Sequence, residues 1–237
     1  MSQHLVLRLG GRSAVSGGLL ILIGNIVHPR EAGQLDNAGA LLQVAAGSGL
    51  WVADHLIIMA GITVLLGAFF GVTHSISGEP GTMWARLAWG ISIIGVGFGV
   101  FFMLTEAIAV ASLSEAWASA SGVERDASLV AGTAMLELSL TLSTGAALFL
   151  FGATPVLVGR AILGSDNYPS TIGWAGVIVG AIGITANLIQ AVTGGSTQTG
   201  LVLVPVAIVF ATIWIIYLGV VMWRRSQTVE GQVAVGV

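Results

Sequence analysis

The sequence predicts an all-α polytopic membrane protein: six transmembrane helices in one bundle, both termini cytoplasmic. Three observations predict it. The 237 residues are 55% hydrophobic and only 8% charged, with a mean hydropathy of +0.96, whereas soluble domains carry about 25% charged residues. Six apolar stretches each reach the ~20 residues that a helix needs to cross the hydrocarbon. The arginines are distributed unevenly between the two sides that six alternating spans define.

The spans fall at about 13–29, 51–74, 87–113, 128–153, 171–193 and 201–223, as a single domain over the whole chain. The first has no small-x-small cleavage site before His28-Pro29 and reads as a retained helix rather than a signal peptide. The fourth stays apolar past Pro155 to Leu163, and a kink is expected at the proline. Arg8, Arg12, Arg86, Arg160, Arg224 and Arg225 lie on one side, Arg30 and Arg125 on the other. The positive-inside rule then places both termini in the cytoplasm, and a plasma (inner) membrane is the location expected.

Two outer loops carry their own signals. In DNAGALLQVAAGSGLW, Asp36 is expected to cap a short surface helix presenting Leu41, Leu42, Val44 and Ala45 to the membrane, with Trp51 in the aromatic belt. In SEAWASASGVERDASL, Trp117 reads as a second interfacial anchor and Asp126 as a cap for the fourth span.

Several function classes are excluded. The chain has no cysteine and no lysine, which removes disulfides, thiolate sites and Schiff-base chemistry. Net charge is −3 with no basic cluster, so no nucleic-acid partner is expected. Phosphate-loop, dinucleotide and serine-hydrolase motifs are absent. The 34 glycines follow helix-packing steps instead.

Those steps identify inward faces. The fifth span aligns Gly176, Gly180, Gly183, Asn187 and Gln190; the third aligns Gly95, Gly99, Phe102 and Glu106. The fourth carries Glu137, Thr141 and Thr144 in one stripe beside Gly145, the first Gly18, Asn25 and His28, and the second His55 with Gly67 and Gly71. The sixth has almost no polar content and is expected to face lipid, a membrane-protein partner or a second copy. At 1.5 Å per residue, His55 lies about 6 Å inside Trp51, Glu106 and Asn187 about 10 Å deep and Glu137 about 13 Å, with His28 at the mouth. Polar groups thus cluster in the outer half.

A carboxylate at a helix centre costs about 2.5–3.5 kcal/mol, and no Arg or Lys lies within a span to offset it. The acids are then protonated, paired with His28 or His55 as imidazolium, or neutralised by a bound cation. Two carboxylates and two imidazoles (His28, His55, Glu106, Glu137) suit a divalent metal such as zinc, manganese or iron. Asn187 and Gln190 would complete a ligand pocket. The Glu-x-x-His pairs of di-iron bundles are missing, and haem between His28 and His55 is a less favoured option. For Thr141, Thr144 and Asn187 taken singly, helix-packing glue is the blander reading. Asp54 and His55 together also read as a simple polar cap, with Asp54 lining the mouth or meeting headgroups.

The run HPREAGQLDNAG, then WVADHLIIMAG, then an acid in each of the next two spans, resembles a group of uncharacterised bacterial and archaeal six-helix membrane proteins. The resemblance covers most of the chain. It implies the six-span topology and groups His28, His55, Glu106 and Glu137 as a set. The function expected is an outward-facing intramembrane pocket for a small ligand, proton or metal ion, transporter- or sensor-like. The other two classes are an accessory subunit docked through the sixth helix, and a haem or metal oxidoreductase.

Overall fold

The computed structural model describes residues 2–29, 36–193 and 198–235, with side chains described outside 198–201 and 229–235. It is all helical, at 92% helix, with six helices long and apolar enough to span a membrane. The elements are α1 (Gln3–Val27), α2 (Asn37–Ala46), α3 (Ser48–Ser75), α4 (Gly81–Leu104), α5 (Ala111–Ser119), α6 (Gly122–Ala146), α7 (Thr154–Leu163), α8 (Ser170–Thr193) and α9 (Gln198–Val235). A π turn at Thr105–Val110 joins α4 to α5, and another at Ala147–Ala153 joins α6 to α7. The third and fourth spans are therefore the continuous helices Gly81–Ser119 and Gly122–Leu163.

Each span packs against its neighbours in sequence, and α9 returns to lie along α1, so the six close into a ring. Lipid supplies no hydrophobic drive, and close backbone approach does the work instead. A Cβ at Gly17 would sit 2.9 Å from the Gly61 carbonyl oxygen, and one at Gly61 would sit 2.8 Å from that of Gly17. Only glycine at both positions lets α1 and α3 approach this closely.

The sixth span, expected to face lipid or a partner, turns only part of its surface outward in the ring. One face of α9 (Ala211, Thr212, Trp214, Ile215, Leu218 and Met222) is buried, and only the opposite face, with Val206, Phe210, Ile213 and Tyr217, is exposed. An apolar helix has no compositional stripe to separate a core face from a lipid face, because both are apolar.

Pro155 does not break the fourth span. Its nitrogen has no hydrogen to donate to the Phe151 carbonyl, and the π turn that ends just before it widens the helix there. The Thr154 hydroxyl donates to the Phe149 carbonyl at 2.8 Å.

The outer loops differ in part from expectation. Asp36 caps α2, its Oδ1 accepting from the Gly39 amide at 2.7 Å. Leu41 and Val44, however, pack under α2 onto Trp51, Val110, Ala111 and Trp117. Both tryptophans are buried in that small core instead of anchoring at an interface. The fourth span starts at Gly122 after Ser121, so Asp126 lies inside it and caps nothing.

At the end of the bundle carrying the termini, the Tyr168 hydroxyl meets Ser75 Oγ at 2.5 Å, and the Arg225 guanidinium lies 4.8 Å over the Tyr168 ring. These contacts tie the α7–α8 connection to α3 and α9. Burial pushes the Tyr168 phenol above its ordinary pKa, against the opposing pull of Ser75 and Arg225.

Candidate functional site

The site begins where α1 stops. His28 precedes a proline, which disfavours helical backbone, and takes an extended conformation as the C-cap of α1. Its imidazole turns to α3, where Nδ1 lies 2.9 Å from Asp54 Oδ2. The other Asp54 oxygen lies 2.6 Å from Nδ1 of His55. Asp54 is 0% exposed and His55 2%, while the His28 side chain keeps 31% of its surface. One buried carboxylate is thus held between a buried imidazole and one at the mouth.

The tautomer of His55 follows from its second contact. His55 Nδ1 is also 2.6 Å from the Trp51 carbonyl oxygen. A carbonyl can only accept, so Nδ1 carries a hydrogen, and in the neutral ring Nε2 is left with a lone pair. Trp51 packs against both imidazoles, with ring centroids 5.0 Å from His28 and 4.7 Å from His55. Its indole N–H donates to the Glu106 carbonyl at 3.0 Å.

Glu106 lies in the first π turn and is buried. Its Oε1 accepts from the Ser139 hydroxyl, and its Oε2 is buried without a donor. Asn187 donates to the Gly183 carbonyl at 2.8 Å, and its own oxygen has no donor. Gln190 Oε1 is likewise buried and unpartnered.

A cavity of about 230 Å³ is bordered by His28, His55 and Gln190 of these groups, and all six spans line it. Its polar lining includes Asn25, His28, His55, Ser143 and Gln190, and its walls are apolar.

Of the residues singled out by sequence, the structure gathers His28, His55, Glu106, Asn187 and Gln190 in one end of the bundle. Glu137 is the correction. It is exposed, because Ser139 faces Glu106 and residues two apart on a helix point about 200° apart. Thr141 is exposed with it. Asp54 takes the place expected of Glu137: the metal-ligand-type group is His28, Asp54 and His55, the last two buried, whose ligand atoms lie within 4.8 Å of one another. Sequence reasoning gave Asp54 only a polar cap, the mouth or the headgroups, and missed Ser139 altogether. The spacing Gly132, Ser139, Ser143, Ala146 was the available sign, since it steps by 7, 4 and 3 along one face.

No protein-family model, curated protein or solved structure matches this chain. The site is accordingly read from its own chemistry. A haem between the histidines does not fit, since their rings meet edge to face at 5.1 Å with both Nδ1 atoms on one carboxylate. No planar macrocycle can enter between them. What the group offers is acceptors. Among the described residues the only acid–base side-chain contacts are those of Asp54 with the two histidines, ionic only when an imidazole is protonated, and no arginine reaches Glu106 or Asp54.

Proposed function

We propose that this chain is a transporter- or sensor-like membrane protein whose central pocket binds a small cation, entering past His28. The observation that carries the reading is the surplus of buried acceptors. Among the described residues, Glu106 Oε2, Asn187 Oδ1 and Gln190 Oε1 have no donor, and the Asp54 carboxylate is fully buried. Leaving a buried polar atom unsatisfied costs about 1–3 kcal/mol, and more when it is charged. An occupant bringing positive charge or N–H donors removes that cost, whereas an anion adds to it.

The pocket lies at the end of the bundle opposite the termini. In the reading we propose, that end faces outward from a prokaryotic inner membrane, with both termini cytoplasmic, as the six arginines near the other end support. Cysteines introduced at exposed Ser121 and Gln227 check this orientation. In intact cells Ser121→Cys reacts with an impermeant thiol reagent and Gln227→Cys does not. Ser226 is a poor reporter, being buried.

The cation reading is tested through Ser143, which lines the cavity and donates only to its own helix, at the Leu140 carbonyl. With no native cysteine, Ser143→Cys gives a single reactive group. A cationic aminoethyl methanethiosulfonate should modify it faster than the anionic sulfonatoethyl reagent of similar size. Equal rates, a preference for the anion or no reaction with either reagent would sink the reading.

A further inference from the structure

We infer that His28, Asp54 and His55 form a binding site for a first-row divalent metal ion of the zinc class. The inference rests on the cation reading and names its chemistry. Three potential ligand atoms from two helices lie within 4.8 Å of one another, and both Nδ1 atoms are within 2.9 Å of Asp54. Two neutral imidazoles and one carboxylate are a nitrogen-rich donor set of the kind that zinc and its neighbours take, with M–N and M–O distances of about 2.0–2.2 Å. A tetrahedral shell of that radius needs ligand atoms roughly 3.3–3.5 Å apart. The widest separation therefore closes by roughly 1.3–1.5 Å, and His28, partly exposed at the end of α1, is the least buried member.

Charge and access favour the same ion. Asp54 with two neutral histidines carries a net −1, so a divalent ion leaves +1, with Glu106 buried in the same end of the bundle. Three protein ligands leave a fourth coordination position for water or a transported or sensed species, the arrangement of open rather than structural sites. Ligation of a neutral ring through Nδ1 moves its hydrogen to Nε2, a change of tautomer that releases no proton. Trp51 packs on both rings and limits their rotation, which is how surrounding groups orient metal ligands.

The test uses the full-length protein in lipid nanodiscs, stripped with a chelator and titrated with Co²⁺ and then Zn²⁺. One equivalent of Co²⁺ should produce visible d–d absorption, and Zn²⁺ should bleach it. His28→Gln and Asp54→Asn should each weaken Co²⁺ binding by at least ~10-fold. His74→Gln, at an exposed histidine on the same helix as Asp54, should leave it unchanged. Asp54 is buried and its variant risks the fold; His28 is at the mouth, so His28→Gln decides the matter alone. The assignment is overturned if no absorption develops, or if affinity is the same in His28→Gln as in the parent. When Co²⁺ fails to bind but the Ser143→Cys variant still prefers the cationic reagent, only the metal assignment falls. Loss of that reagent preference itself would remove the broader reading instead.

Discussion

The Trp51 indole donates to the Glu106 backbone carbonyl across 3.0 Å, joining α3 to the π turn of the third span. A π turn disturbs the regular backbone ladder and is frequently found at functional sites. Here a side chain from the neighbouring span satisfies one of its carbonyls, and the same indole walls in His28 and His55.

Trp51→Phe therefore separates the two roles. Phenylalanine keeps an aromatic face against the imidazoles but has no N–H, so the Glu106 carbonyl loses its indole donor inside the bundle. The expected loss is about 1–3 kcal/mol, read as a lower midpoint of thermal unfolding in detergent. Trp174→Phe, at an exposed tryptophan on α8 (55%), should leave the midpoint unchanged. Equal midpoints for the Trp51 variant and the parent would mean that the hydrogen bond contributes nothing.

Gly180 is the packing test for α8. A Cβ there would lie 2.5 Å from the Gly152 carbonyl oxygen and 2.7 Å from the Val156 nitrogen. Both are backbone atoms at or beside the second π turn and cannot move aside as a side-chain tip can. Gly180→Leu should cost at least the ~1–3 kcal/mol of ordinary overpacking and prevent recovery of folded protein. Gly90→Ala, with nothing within 4 Å of its Cβ position, is the matched control and should be tolerated. Ile215 on α9 tests the closed ring in the other direction. It is buried, so Ile215→Ala should destabilise by opening a cavity, by about 2–5 kcal/mol.

The six spans were legible because hydropathy is a local property, and the inward faces of α4 and α8 because glycine and polar residues share one helical step. His28, His55, Glu106 and Gln190 stood out against an apolar background for the same reason. What local pattern does not carry is rotation about the helix axis once a turn widens. Glu137 and Ser139 are both polar candidates two residues apart, and only the packing of α6 on α4 decides that Ser139 faces Glu106. Nor does sequence distinguish a tryptophan at the headgroups from one that, like Trp51, is buried under a capping helix. Asp54 was discounted because it sits next to the expected mouth. Its importance comes from His28, 26 residues earlier, reaching over it.

Tyr168 gives a pH dependence whose sign can be worked out. Its pKa is raised in the folded chain above the ordinary 10.0, chiefly by burial. Below pH 10 both folded and unfolded states hold the proton and the group adds no pH dependence. Above it the unfolded state releases the proton first, so stability falls as pH rises toward the folded pKa. Unfolding midpoints measured across that range should drop for the parent and drop less for Tyr168→Phe. The variant should start from a lower midpoint at neutral pH, having lost the contact with Ser75. Parallel pH profiles for the two proteins would show that Tyr168 does not titrate differently on folding.

The last prediction separates the two membrane glutamates. Glu106 is buried with one oxygen on Ser139 and the other without a donor, while Glu137 is exposed on the opposite side of α6 from Ser139. Glutamine has the shape of glutamic acid and can accept from Ser139, but it carries no charge. In the Ser143→Cys background, Glu106→Gln should fold and yet lose much of the preference for the cationic thiol reagent. Glu137→Gln should leave both stability and preference as they were, and the double variant should match Glu106→Gln alone. Ser139→Ala adds a control of the opposite kind. It keeps the Glu106 carboxyl group but removes its only side-chain donor, so it should lower stability by about 1–3 kcal/mol. If Glu137→Gln instead reproduces the loss seen with Glu106→Gln, the exposed placement of Glu137 is wrong and the two carboxylates share a site. If neither glutamine variant changes the reagent preference, Glu106 is a packing residue and its charge plays no part in the pocket.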